Sequence, residues 1–113
     1  MALRINPKLL KQSFDYYEFA GVDPWASSSY LEPITVKNVR IDEMPEVVQL
    51  SSNIYQVAYR AIAFIYASDT TPFFEFKRRS KIVTKNGTYT INRIVKVNEP
   101  FQDKLWSVEL ELI

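Results

Sequence analysis

The chain contains no cysteine and no histidine, and only two of its 113 residues are glycine. Without cysteine there is no disulfide and no thiol nucleophile, and the redox compartment leaves no trace in the composition. Without histidine the usual general base of a hydroxyl nucleophile is missing, and so are most zinc sites. Gly21 and Gly87 are too few for a loop that cradles phosphate. Only carboxylates remain for acid–base or hard-cation chemistry. Long apolar runs are also lacking. None approaches the ~20 residues that span a bilayer, and Met1 to Gln12 has no secretory core of roughly 7–15 apolar residues. The expectation is a protein without a membrane partner, made in a cytoplasm. Charge of one sign is absent as well: 14 basic and 13 acidic residues leave a net +1. A chain that binds nucleic acid through nonspecific phosphate contacts normally carries a clearer basic excess.

Aromatic residues, by contrast, are plentiful: seven Tyr, seven Phe and two Trp. They suit pleated, half-buried surfaces and large contact faces. A hydrophobic share of 47% with 24% charged residues argues against disorder, and 113 residues predict a single domain over 1–113.

The periodicity is that of strands. Asn6 and Pro7, followed by Leu9 and Leu10, predict one turn of an N-terminal helical arm. Phe14, Tyr16, Tyr17 and Phe19 form a strand with Phe14 and Tyr16 on one face, ended by Gly21-Val22-Asp23-Pro24 and a loop over Ala26 to Ser29. A second strand runs from Tyr30 to Asp42. Ile34 and Val36 share a face while Val39 and Ile41 have the opposite parity, so one extra residue at Lys37-Asn38, a β-bulge, restores the pattern. Glu43 to Ser52 is irregular and reads as a long loop. A long strand then extends from Ile54 to Tyr66; a helix competes there because of Ala58, Ala61 and Ala63, but the Tyr, Ile and Phe content favours strand. Asn86-Gly87, between Lys81–Lys85 and Thr88–Ile91, is a strong hairpin signal. Its second arm continues to Val97 with Tyr89, Ile91, Val95 and Val97 on one face. In the last strand Trp106, Val108, Leu110 and Leu112 oppose Ser107, Glu109 and Glu111. Six or seven antiparallel strands with hairpin-like links make an all-β barrel or sandwich.

Two constellations invite a chemical reading. Asp42, Glu43 and Glu46 cluster in the long loop, but without the dense oxygen spacing of a calcium loop. Glu109 and Glu111, two apart on a strand, share a face that solvent explains. No catalytic residue, cofactor or metal is expected. Lys77-Arg78-Arg79, with Lys81 and Lys85 beyond and Phe73, Phe74 and Phe76 before, is the one basic cluster. It is a candidate nucleic-acid surface, where cations meet phosphate and rings stack on bases. Three consecutive residues cannot all face one way on a strand, so a solvated turn or pairing with a neighbouring subunit competes. Trp25 and Tyr30, with Phe73 and Phe74, are candidate interface anchors.

Several ordered segments carry a resemblance. Pro7-Lys8-Leu9-Leu10, Tyr16-Tyr17-Glu18, Gly21-x-Asp23-x-Trp25 and Tyr30-x-Glu32-Pro33-Ile34-x-Val36-x-Asn38-Val39-Arg40-Ile41-Asp42 are followed by Ser80-Lys81-Ile82, Asn86-Gly87-x-Tyr89-Thr90-Ile91 and Trp106-x-Val108-Glu109-Leu110. The set resembles the minor capsid protein family of siphophages and prophages of Gram-positive bacteria, over essentially the whole chain. The resemblance implies a head-completion or stopper subunit, a small β-barrel forming a homo-oligomeric ring at the head–tail connection of the virion. Its implied partners are further copies of itself, portal or adaptor and tail proteins, and the packaged double-stranded DNA. It further implies a loop that lines or plugs the channel, and by position that loop is Glu43, Met44, Pro45, Glu46, Val47, Val48, Gln49, Leu50, Ser51 and Ser52. The segment from Phe73 to Arg79 is more aromatic and basic than the family pattern.

Overall fold

The computed structural model describes residues 7–22, 24–25, 28–43, 46–101 and 103–113. These residues form ten strands: β1 (Gln12–Tyr17), β2 (Phe19–Val22), β3 (Ser28–Tyr30), β4 (Ile34–Asp42), β5 (Glu46–Ser51), β6 (Ile54–Tyr59), β7 (Ala61–Tyr66), β8 (Lys81–Thr84), β9 (Gly87–Asn98) and β10 (Leu105–Leu112). Six of them close an antiparallel barrel in the order β1-β4-β7-β10-β9-β8, and the remaining four form two separate hairpins, β2–β3 and β5–β6. The expected all-β barrel is therefore the fold. The expected helical arm is not: the described part of that segment is one three-residue 3-10 turn, Pro7–Leu9, and Asn6 lies outside the described residues.

Alternation fills the barrel. Phe14 and Tyr16 of β1, Val36 and Val39 of β4, Ala61, Ala63 and Ile65 of β7, Ile82 of β8, Tyr89 and Ile91 of β9, and Val108, Leu110 and Leu112 of β10 make one buried cluster with Phe76. The expected bulge in β4 is present. Gln12 pairs with Val39 and Ser13 with Lys37, which leaves Asn38 as the extra residue. Its φ of 62° turns the strand so that Val36 and Val39 both reach the interior. Asn tolerates that left-handed backbone better than most residues. The bulge also docks the turn after β7: Asn38 Nδ2 donates to the Asp69 carbonyl at 3.2 Å, and Thr70 Oγ1 donates to the Asn38 carbonyl at 2.9 Å.

Two further bulges change the expected faces. In β9, Glu111 pairs with Arg93 but Leu112 with Ile91, so Asn92 is extra. Parity flips there, and Ile94 instead of Val95 packs against the core. In β10, Leu105 pairs with Asn98 and Ser107 with Val97, so Trp106 is extra. Leu105 joins the core, while Trp106 meets Tyr66 edge-on with ring centroids 5.5 Å apart. The hairpin signalled by Asn86-Gly87 is present, with Thr84 opposite Gly87. Its turn residues are Lys85 and Asn86, and positive φ is found at Gly87 (157°) and not at Asn86.

Three other expectations are corrected. The aromatic strand does not end at Gly21: Phe19–Val22 pairs with Ser28–Tyr30, with Asp23, Ala26 and Ser27 outside the described residues. Tyr30 thus belongs to this hairpin and not to β4. The strand read from Ile54 to Tyr66 is two strands, interrupted at Arg60, whose N–H donates to the Leu112 carbonyl at 2.6 Å. Glu43 to Ser52 is not an irregular loop either, because most of it is β5.

The segment from Phe73 to Ser80 crosses one end of the barrel and caps the core there. Phe74 and Phe76 both lie 5.1 Å from the Tyr16 ring by centroid, and Ser80 Oγ and the Lys77 N–H hold the Tyr16 hydroxyl at 3.1 and 3.0 Å. The buried phenol is thereby satisfied, as a buried polar group must be.

Candidate functional site

Strand order defines two poles. At one pole lie the links from β4 to β7, from β8 to β9, and the chain end at Ile113. At the other lie β2–β3, the segment Ala67–Ser80, and the β9–β10 turn. The β5–β6 hairpin leaves the first pole between Asp42 and Ala61. Its register pairs Glu46 with Tyr59, Val47 with Val57, Val48 with Gln56, Gln49 with Tyr55 and Ser51 with Ile54. Six-residue strands reach about 20 Å. Neither strand pairs with the barrel, and the radius of gyration of 15.5 Å exceeds the ~13 Å of a compact chain this long. The hairpin is an arm.

Both legs of the arm are fixed at its root to the start of β9. On the incoming leg, Glu43 accepts a hydrogen bond from the Tyr89 hydroxyl at 2.9 Å and longer ones from Asn86 Nδ2 at 3.3 and 3.4 Å. On the outgoing leg, the Arg60 guanidinium lies 4.7 Å from the Tyr89 ring centroid and donates to the Thr88 carbonyl at 2.9 Å. One buried aromatic residue thus serves both legs, its ring under the cation and its hydroxyl on the carboxylate. Burial pushes the Tyr89 phenol above its ordinary value near 10.0; the hydrogen bond to Glu43 and that carboxylate's charge push the same way, while Arg60 opposes them. Charge alternates around the root: Glu43 beside Tyr89, Arg60 above it. A groove of about 410 Å³ runs beside Glu43 and is lined by Lys11 and Lys85 as well as Asp15, so it favours neither sign of ligand.

The residues expected to form a channel loop divide as follows. Glu43 is at the clamp, 46–51 form β5, Ser52 opens the turn to β6, and Met44 and Pro45 lie outside the described residues. Asp42 pairs with Ile62 in the barrel wall, so the carboxylate trio does not converge as one loop. Arg60, Tyr89 and Thr88 were not among the expected site residues. The clamp joins positions 46 apart in the chain, which no local pattern signals.

The basic cluster is dispersed by its own backbone. Lys77 pairs with Glu18 at 3.5 Å, Arg78 Nε donates to the Asn92 carbonyl at 2.9 Å, and Arg79, at φ 70°, lies over the Phe19 ring at 5.7 Å. Phe73 and Phe74 pack against the core and do not stand out as stacking platforms. Tyr30 packs edge-on with Phe19, and Lys81 Nζ lies 5.0 Å from its ring. Of the expected anchors Trp25 is the most exposed, at 86%.

The described residues thus form a closed barrel with an anchored arm at one pole and a second hairpin at the other. The model of the minor capsid protein family matches residues 7–112, and the chain belongs to that family. It is a structural protein of a virus particle. No curated protein and no solved structure gives a significant match.

Proposed function

We propose that this chain is a head-completion subunit of a tailed phage, a stopper that forms a homo-oligomeric ring at the head–tail connection. The observation that carries this reading is the arm: a hairpin about 20 Å long that pairs with nothing in its own barrel and is clamped at its root by Glu43, Arg60 and Tyr89. In a ring, each closed barrel supplies wall and the arms turn toward the axis, where they obstruct the packaged DNA. The two poles then serve two neighbours, portal or adaptor on one side and tail on the other. Mechanical closure needs a firm root and no chemistry. The near balance of charge in the chain agrees with a gate along which DNA slides without being held.

The test replaces residues 46–59 with a short Gly-Ser turn between Glu43 and Arg60. Particles that incorporate the shortened protein but lose their genome support the reading. Full genome retention in such particles, or absence of the unaltered protein from purified particles, overturns it.

A further inference from the structure

The barrel is closed by strand pairing around only part of the length of β9. Over Arg93–Asn98 that strand pairs with β10 on one side. On the other side β8 begins only at Lys81, opposite Thr90, and the last backbone bonds across that seam are Ile91 N–H to the Ser80 carbonyl and Arg79 N–H to the Ile91 carbonyl, both on Ile91. Above them no backbone–backbone hydrogen bond reaches this edge of β9 among the described residues. The segment Phe73–Arg78 runs alongside without forming a strand and leaves a gap of about 750 Å³. Beneath it lies a smaller apolar pocket of about 270 Å³, lined by Phe73, Phe74, Leu105 and Val108. One ion pair spans the gap, Lys96 Nζ to Glu75 Oε1 at 3.6 Å, with both side chains mostly exposed. Such a pair contributes little and opens readily.

A free strand edge above an apolar pocket is the arrangement that accepts an added strand: backbone bonds give affinity, and alternate side chains enter the pocket. Three cations, Arg78, Arg93 and Lys96, line the gap with one carboxylate, Glu75; Arg78 Nε donates to the Asn92 carbonyl at 2.9 Å and so closes that end of the edge, and Arg93 leans to Glu111 at 3.4 Å. We infer that the Arg93–Asn98 edge of β9 is a strand-acceptor site for an extended segment of another protein, with apolar side chains alternating with acidic ones. The apolar positions enter the Phe73–Phe74 pocket on the face of Ile94 and Lys96, and the acidic ones, on the opposite face, meet Arg93 with Arg78 beside it. This site does not depend on the arm or on the position of the chain in a particle.

The probe is an acetylated, amidated hexapeptide alternating glutamate and valine, added to the isotope-labelled full chain and read by amide hydrogen exchange and titration. It is expected to protect amides within Arg93–Asn98 and leave the arm unaffected. The lysine–valine counterpart is expected to bind about tenfold more weakly, as is the glutamate peptide on the Arg78→Gln/Arg93→Gln chain. No protection at millimolar peptide overturns the inference. So does equal binding of the two peptides, or of a glutamate–valine peptide N-methylated at every residue, which has no N–H left to pair with an edge. Both substituted side chains are exposed, and the lysine peptide makes the charge test on the unaltered chain.

Discussion

Removal of one oxygen, by Tyr89→Phe, separates the two halves of the arm's clamp. The ring remains in the core and under Arg60, and only the hydroxyl that donates to Glu43 at 2.9 Å is lost. A hydrogen bond to a charged acceptor contributes ~1.5–3 kcal/mol when well buried. Here Glu43 is exposed and keeps its contacts with Asn86, so no charge is stranded and the value falls to about 1 kcal/mol. In a chain of 113 residues that lowers Tm by about 3–6 °C. The assay is a double-mutant cycle with Glu43→Gln in urea, accompanied by amide exchange over residues 46–59. If the clamp is as described, the coupling is about 0.5–1 kcal/mol, and exchange quickens in the arm well before it does in β7 or β10. Additive single effects, or unchanged exchange in the arm, would refute the claim that Tyr89 holds it.

Other consequences follow from the core, the bulge and the buried phenols. Leu110 is fully buried among the barrel side chains, and Leu110→Ala should cost about 2–5 kcal/mol in denaturant unfolding, enough to unfold much of the protein at growth temperature. At Asn38, with its φ of 62°, Asn38→Val should cost roughly 1–2 kcal/mol more than Asn38→Gly in the same assay; equal costs would remove the bulge from the account. Tyr66 and Tyr89 both have raised phenol pKa values, in each case through burial first. The folded state therefore holds their protons more tightly than the unfolded chain, so stability is complete below the ordinary value near pH 10.0 and is lost as pH rises above it. Melting temperatures between pH 8 and 11.5 should fall above about 10, and less steeply in Tyr89→Phe.

The parts of the fold legible in the sequence are those where one face of a strand meets the core. Val36 and Val39 disagree in parity, and a bulge at Asn38 is the cheapest repair; β10 alternates cleanly because Val108, Leu110 and Leu112 all point inward. The bulges at Asn92 and Trp106 stayed hidden because Ile94-Val95 and Leu105-Trp106 offer an apolar residue in either register. The arm was missed for the opposite reason. The β5 strand pairs with β6 alone, and its adjacent Val47 and Val48 break the alternation by which a strand is read from sequence, so it reads as a loop. Within the candidate site, Glu43 was legible as part of an acidic cluster, but its partners were not. Tyr89 alternates as an ordinary core residue, and only closure of the barrel brings it to the root of the arm. The basic run was legible as a cluster by composition alone, and the irregular backbone around Arg79 then sends its three side chains to Glu18, Asn92 and Phe19.

The absence of cysteine gives the most direct test of the central claim. Ile54, 58% exposed and next to the arm's turn, accepts a single Ile54→Cys substitution without disturbing the barrel. In assembled particles, arms that converge on a ring axis place these thiols within reach of one another, and a short bismaleimide should produce same-chain cross-linked pairs that are absent from the dilute free protein. Particles that contain the substituted chain but yield no such pairs would contradict an arm that reaches the axis of a ring.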